Sequence, residues 1–425
     1  MSGAPDIPTP PVRSLIPHGL RALRVRNYRR YWLGQLVSQT GSWMQTTAQG
    51  WLVLTLTDSP FAVGLVTTFQ FVPVMLLSLP GGLLGDAIPR RKLLLVTQGV
   101  ALLQAAVFGL LVGSGWIRLW HVYVLAAVQG TVQAVDTPAR QAFTSDLVGR
   151  EDVVSAVSLN SMLFNAARIV GPSVAGVLIG GVGIPAILYA NAASYLAVLW
   201  VLFTLDAQAL PGTRTATGRS LWQDLPEGLR YVLATPEVWS VLALVAVLGT
   251  FGYNWNVALP LLSKYELGLD ARGLGALWTS LGVGSLVGAA STAFAAQVTP
   301  RRMVLAAAGF SALLAALALS DLFEMSVGLL VLLGFAGIVF TTSANSLLQL
   351  TVPERLRGRV MSLYFLLFVG STPLGGLVLG GASGALGVKG ALLLCSALCL
   401  LGVGSAELYR RRAARGAALN GRVEP

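Results

Sequence analysis

Charge is what this sequence has least of. Only 11% of its 425 residues are Asp, Glu, Lys or Arg, where a soluble domain carries about 25%. A chain so poor in charge cannot clothe a water-facing surface, so an ordinary soluble fold is excluded. Histidine and cysteine are nearly absent, at two residues each. His18 and His121 stand alone at the margins of apolar runs, which leaves no metal site and no Ser/His/Asp set. Cys395 and Cys399, one helical turn apart, read as small buried apolar residues, with neither zinc spacing nor a disulfide framework. No Gly-rich phosphate loop closing on Lys is present, which excludes direct ATP drive. Nothing in the chain asks for an enzyme, a metal or a cofactor. A cleavable leader is not expected either, because the polar, Arg-containing start leads into an apolar run too long for a signal-peptide core.

What is present is apolar length. Hydrophobic residues make up 55% of the chain, and runs of helix-spanning length recur near 30–57, 60–84, 93–113, 121–143, 155–181, 184–205, 238–262, 273–297, 303–321, 326–349, 360–383 and 386–408. The expectation is an all-α integral membrane protein with twelve transmembrane helices. Runs this long exclude an outer-membrane barrel, whose strands alternate over about 10 residues. The net charge of +11 would suit nucleic acid if it were one patch, but it is not. Arg13, Arg21, Arg24, Arg26, Arg29 and Arg30 precede the first run, and further arginines fall in alternate loops and in the tail from Arg410 to Arg422. The opposite loops offer only Arg118, Lys264, Arg272 and Lys389. This is the positive-inside pattern, and it places both termini and the central loop in the cytoplasm of a bacterial (inner) membrane protein. No nucleic-acid partner is expected.

The sequence also repeats itself. Pro89-Arg90-Arg91-Lys92-Leu93-Leu94 is echoed by Pro300-Arg301-Arg302-Met303-Val304-Leu305, 211 positions on. Ser158-Leu159-Asn160-Ser161 is echoed by Ser362-Leu363-Tyr364-Phe365, 204 positions on. Two similar apolar halves are the mark of a two-fold transporter. The divisions expected are an N-terminal arm 1–29, a six-helix bundle 30–205, a linker 206–237, a second six-helix bundle 238–408 and a tail 409–425. Within the linker, Leu221, Trp222, Leu225, Leu229, Val232 and Leu233 recur at helical spacing, which predicts an amphipathic helix at the membrane interface, starting near Pro226 if proline interrupts it. Glycines four apart (176 and 180; 284 and 288; 376, 380 and 384) predict close helix approaches.

Polar residues inside the spans are the candidates for function. Gln35, Ser38, Gln39, Ser42, Gln45, Thr46 and Gln49 form a stripe in the first span. Gln129, Gln133, Asp136, Thr137 and Arg140 form another in the fourth, and Ser161, Asn165 and Arg168 a third in the fifth. Polar groups facing lipid cost several kcal/mol each, so the stripes face protein or a water-filled cavity. Cavity candidates are Gln35, Gln39, Gln45, Gln129, Gln133, Asn165 and Arg168. Arg168, in mid-span, marks a site, a structural ion pair with Asp136, or a cap on carbonyls of a neighbouring helix. Asp136 is the sole embedded carboxylate and the candidate proton carrier, although Arg140 one turn on offers it a local partner. Asp86 is placed to cap a neighbouring helix or to gate.

Gly82-Leu83-Leu84-Gly85-Asp86-Ala87-Ile88-Pro89-Arg90-Arg91 resembles the loop-2–3 motif of the major facilitator superfamily, with Ala87 and Pro89 departing from its usual basic residue and Gly. Arg168-Ile169-Val170-Gly171-Pro172 resembles the fifth-helix Gly-Pro motif of exporters. Asp136-Thr137-Pro138-Ala139-Arg140-Gln141-Ala142-Phe143, with Asn165-Ala166-Ala167-Arg168, Gly34-Gln35, Ser42-Trp43 and Gly50-Trp51, is similar to the drug:proton antiporter branch that holds siderophore exporters and macrolide efflux pumps. The resemblance implies two bundles related by pseudo-two-fold symmetry around a cavity that opens alternately to each side. It implies that Asp86, Arg90 and Arg91 lock the cytoplasmic side, and that Gly171 and Pro172 shape a bend that disfavours leak. The expected function is proton-coupled export of a small amphiphilic molecule, drug-like or siderophore-like, by a monomer. The cavity's one deep cation suits anionic or neutral substrates. A lipid or lysolipid flippase of the same fold is the alternative.

Overall fold

In lipid a backbone must satisfy its own polar groups, and for runs of this length helix is the solution. The computed structural model describes residues 18–205, 221–293 and 298–420, and among them there is helix and no strand. The arm 1–17, linker residues 206–220 and residues 421–425 lie outside the described residues, as do the side chains of 82–87, Asp86 included, and of 221–226.

A short 3-10 turn, His18–Arg24, leads into α1 (Arg26–Thr57), α2 (Pro60–Ala87), α3 (Arg90–Gly113), α4 (Leu119–Asp146) and α5 (Val153–Thr204). After α6 (Leu221–Ala234) come α7 (Pro236–Val247), α8 (Trp255–Leu261), α9 (Ala271–Ala293), α10 (Pro300–Ala318), α11 (Phe323–Thr351), α12 (Glu354–Val369) and α13 (Thr372–Asn420). A π turn follows each of α7 and α8, at Leu248–Gly252 and Leu262–Glu266. Both copies of the Pro-Arg-Arg echo start a helix: Pro89 precedes α3, and Pro300 opens α10, where the Thr299 side chain accepts from the Arg302 N–H at 3.2 Å. The linker helix α6 begins at Leu221, a turn earlier than the proline suggested.

By length and apolarity, eight stretches of the described residues qualify as membrane spans, fewer than the twelve expected. Two physical reasons account for the difference. The glutamine stripes of α1 and α4 lower their hydropathy below that of a purely apolar helix. Two of the eight are also far too long for one crossing, at 52 residues (153–204) and 59 residues (354–412). A straight 52-residue helix would run about 78 Å at 1.5 Å per residue, against a hydrocarbon core of about 30 Å.

Instead, α5 turns at Gly183 (φ 82°, ψ 169°) and α13 at Gly387 (φ 72°, ψ 168°), two matching breaks 204 positions apart. The positive φ is open to glycine and strained for other residues. Contacts show that α5 doubles back: Trp32 donates to the Leu159 carbonyl (3.1 Å), whereas Gly34, on the same stretch of α1, lies against Val198 and Val201. Met44 and Ala48 cluster with both Ala175 and Ile187, which flank the turn.

Helices α1–α5 form one group, through α1 with α5, α2 with α4, and α3 with α4 and α5. Helices α7–α13 form another, through α9 with α11, and α10 with α11 and α13. The glycine spacings divide between two jobs. Gly284 and Gly288 lie on the backbone of Val331 and Phe335 within the second group, while Gly176 and Gly376 meet helices of the opposite group. Cys395 and Cys399 are buried and unbridged.

Candidate functional site

Between the groups, α2 meets α13, α5 meets α9, and α1 and α2 meet α8. The close approaches fall in the halves of these helices remote from the chain termini. A methyl group on Gly176 of α5 would sit 2.6 Å from the Ala271 carbonyl oxygen and from Gly275 Cα of α9. Gly64 of α2 lies tight against Gly376 of α13, and Gly50 of α1 makes ordinary contact with Pro260 of α8 at 3.4 Å. Thr68 donates to the Pro373 carbonyl (3.2 Å), and Ser173 pairs with Thr279 (2.6 Å). Beyond them, Lys264 meets Asp58 at 2.7 Å and the Leu54 carbonyl at 2.6 Å, and Tyr265 donates to Asp58 at 2.9 Å. Hydrogen bonds from Lys264 and then Tyr265 hold the Asp58 carboxyl below its usual range. Among the described residues the groups thus meet at the far end and part toward the termini.

Arg168 sits at the floor of that opening. It is the residue next to Ile169, which packs on Gly282 of α9, and lies just on the termini side of the Ser173–Thr279 contact. Its side chain is partly accessible and has no ion pair or hydrogen bond among the described residues. Across the opening, at the break between the first π turn and α8, stands Tyr253. It is close enough to act electrostatically on the Arg168 charge. The Tyr253 hydroxyl donates to the Gly337 carbonyl at 2.7 Å, and its ring stacks on Phe310 and meets Phe368 edge-on, both with centroids 5.0 Å away.

The sequence's second alternative for Arg168 does not hold, because Asp136 is engaged elsewhere. Asp136 Oδ1 accepts from Thr97 and Gln98 of α3, each at 2.8 Å, and Oδ2 faces Arg140 at 3.6 Å. Arg140 in turn donates to Gln35 Oε1 (3.3 Å), and Gln35 donates to the Tyr31 hydroxyl. This chain of polar contacts joins α3, α4 and α1 within the first group.

The remaining candidates separate. Gln45, 3% exposed, donates to Gln104 (3.1 Å) and accepts from Asn191 (2.8 Å), so it is spent inside the first group and is not a cavity residue. Gln129 reaches the Tyr195 hydroxyl at 3.5 Å, and its Oε1, like that of Gln133, is buried without a partner. Gln39 and Asn165 are partly accessible, and Asn165 donates back to the Ser161 carbonyl. Arg90 grips both carboxylate oxygens of Asp146 at 2.6 Å, within the first group. Arg91 donates to the carbonyls of Leu202 and Phe203, capping the C-terminal turn of α5 where a cation suits the helix dipole. In this conformation neither arginine bridges the two groups. Gly171 lets α1 close on α5, since a methyl there would lie 2.6 Å from Trp43 Cβ, and Pro172 lies inside α5 beside Gly275.

Sequence reading missed Tyr253, a lone phenol in an apolar run. It also missed Asp146, Asp58 and the Asn191–Gln45–Gln104 set, whose members are joined only by the fold.

Residues 18–421 match the family model described as transmembrane secretion effector. The multidrug efflux pump Tap of Mycolicibacterium fortuitum is 26% identical over 388 residues, 89% of this chain and 94% of that one. The enterobactin exporter EntS of Salmonella choleraesuis (strain SC-B67) is 25% identical over 395 residues, 90% and 94% of the two chains. With the staphyloferrin A transporter of Staphylococcus aureus (strain NCTC 8325 / PS 47) identity is 25% over 248 residues, 58% of this chain and only 62% of that transporter. Among solved structures, an inward-facing, occupied bacterial homologue of the human lysosomal transporter Spinster superposes with TM-score 0.74 at 14% identity, covering 92% of this chain and 97% of that one. A bacterial ferroportin homologue in its inward-facing state gives 0.64 at 18% identity, covering 89% and 98%. These structural likenesses concern the fold alone.

Proposed function

The chain belongs to the transmembrane secretion effector family of the major facilitator superfamily, and from that premise we propose that it exports a small amphiphilic molecule by alternating access coupled to protons. The observation that carries the reading is Arg168, a mid-span cation without a counter-ion among the described residues, at the floor of an opening sealed at its far end. Placing arginine at a helix centre costs about 2.5–3.5 kcal/mol on insertion scales. A substrate anion, bound and then released, offsets that cost only while it is in the site, which makes the charge useful for binding. With the termini in the cytoplasm, as the arginine distribution implies, the opening faces the cytoplasm and the structure stands in the loading state.

Export then requires the far seal to part and the termini end to close. Gly176, Gly275, Gly64 and Gly376 provide smooth backbone surfaces on which helices separate without unlocking large side chains. Asp136 is our proton-carrying candidate. Protonating it would remove the charge that faces Arg140 and leave Arg140 to Gln35 of α1, so the proton would be felt by α1, α3 and α4 together. The protein works as a monomer in the inner membrane, and the names of its relatives favour an exporter over a flippase.

The test is uncoupler-sensitive efflux from an efflux-deficient host, comparing wild type with Arg168→Ala on a catecholate siderophore, a macrolide and a cationic dye. Uncoupler-sensitive efflux of the siderophore or the macrolide, lost in the variant, supports the reading. Efflux of the dye alone, or equal efflux by the variant, overturns the role of Arg168. In the same assay, Asp136→Asn with an unchanged pH profile removes Asp136 as the proton carrier.

A further inference from the structure

The floor of the opening is chemically lopsided, and the asymmetry names a ligand more specific than an amphiphile. Among the described residues the first group brings one guanidinium, Arg168, and no acid to balance it. The second group brings rings. Tyr253 and Phe368 meet at 5.0 Å, Tyr364 stacks on Phe368 at 6.1 Å, and all three stay partly accessible while Phe310 backs them from the core.

Three independent contacts put cation and rings at one level. Arg168 lies just on the termini side of the α5–α9 contact at Ser173–Thr279. Tyr253 lies just on the termini side of the α1–α8 contact, where Gly50 touches the Asn256 carbonyl and Pro260. Phe368 lies just on the termini side of the α2–α13 contact, where Thr68 donates to the Pro373 carbonyl. Each lies just inside the seal, Arg168 on the first group and Tyr253 and Phe368 together on the second. Phe368 is moreover fixed in place, because its backbone rests against Gly249, where a methyl would sit 3.0 Å from its carbonyl oxygen.

We propose that this floor is an aryl-anion site, which takes a carboxylate or phenolate on Arg168 and the attached planar ring against Tyr253 and Phe368. The proposal rests on the export reading and deepens it, since it concerns what the same opening loads. A guanidinium alone accepts any anion, and rings alone accept any flat apolar group. A ligand that carries both satisfies the charge and covers the accessible aromatic faces together. Two preferences follow. An aryl acid binds better than an alkyl acid of equal hydrophobicity, and better than its own neutral ester or the matching aryl amine.

The experiment is equilibrium binding to the purified full-length protein in nanodiscs, by calorimetry, with four probes: 4-hexylbenzoate, its methyl ester, 4-hexylbenzylammonium and decanoate. The benzoate is expected to bind at least about ten-fold tighter than each of the others. Arg168→Gln is expected to erase the margin over the ester, and Arg168→Lys to restore part of it. Phe368→Leu should reduce benzoate affinity by a clearly larger factor than decanoate affinity, with an unchanged helical circular-dichroism spectrum showing that the variant is folded. Equal binding of benzoate and decanoate by wild type, tighter binding of the amine, or no effect of Arg168→Gln overturns the proposal. Binding is read without transport, so the two readings fail separately. Efflux without aryl preference sinks the aryl-anion site alone, and tight benzoate binding without efflux of any compound sinks the export reading alone.

Discussion

Replacing Gly176 with alanine tests whether the seal between α5 and α9 is a movable contact. The added methyl would lie 2.6 Å from Gly275 Cα and the Ala271 carbonyl oxygen, where ordinary contact starts at 3.4 Å. All three of its nearest atoms are backbone, so no side chain can swing aside, and the helices must part locally by about 0.8 Å, the difference between those two distances. Overpacking of this kind costs about 1–3 kcal/mol, and it falls only on the conformation in which the two helices touch. That shifts the equilibrium toward the conformation open at the far end by about 5- to 150-fold. Gly181→Ala on the same helix is the control, because nothing lies within 4 Å of its added methyl. The control shares the helix-propensity gain of up to about 1 kcal/mol that alanine brings over glycine. The readout is labelling of a single cysteine at Thr67, which is buried in the α2–α13 seam. A membrane-impermeant maleimide is applied from the far side, in a background where Cys395 and Cys399 are serine. Faster labelling in Gly176→Ala alone is expected. Equal rates in the two variants would refute a seal that opens by separation of these helices.

Three further outcomes follow from contacts already described. Gln45→Leu removes two interhelical hydrogen bonds and strips the partner from Gln104 Oε1 and Asn191 Nδ2, so it should lower unfolding free energy by about 1 kcal/mol at the ~0.6 kcal/mol average per membrane bond; denaturant titration in micelles that found no loss would contradict the hub. Because the Asp58 carboxyl is held below its usual value of 3.8, its ionised pairing with Lys264 is fully present above that value and is lost only as pH falls through the lowered one. The far-end tie should therefore not change between about pH 5 and 8, and Asp58→Asn should leave the pH profile of transport unaltered across that window, to be checked by efflux at graded pH. Arg91→Ala leaves the Leu202 and Phe203 carbonyls without their cap, and faster amide exchange confined to the last turn of α5 is the expected signature.

The fold was legible because lipid leaves so few options: long apolar runs become helices, and the Pro-Arg-Arg echo starts a helix in each half. The stripes were also legible, but not what they face. Gln45 and Arg168 look alike in sequence, as polar residues amid apolar ones. One is consumed by Asn191, 146 positions away, and the other has no ion pair or hydrogen bond among the described residues. Periodicity gives the face of a helix but not the neighbour opposite, so pairings such as Arg90 with Asp146 and Asp58 with Lys264 stayed hidden. Tyr253 escaped for the opposite reason. Its importance comes from a helix break and two surrounding rings, Phe310 and Phe368, none of which a local pattern reveals.

The matching turns at Gly183 and Gly387 bear on how the chain is made. Each joins two apolar helices, but only the first tip, Gly181-Val182-Gly183-Ile184-Pro185, carries no charge, since Lys389 follows Gly387 by two residues. The first tip crosses a bilayer at little electrostatic expense, so its pair of helices can enter from the ribosome's side as one closed hairpin. Its two arms reach lipid already back to back, and neither needs a topogenic signal of its own. A charged residue inserted at the first tip would then delay integration during synthesis while scarcely touching the finished protein.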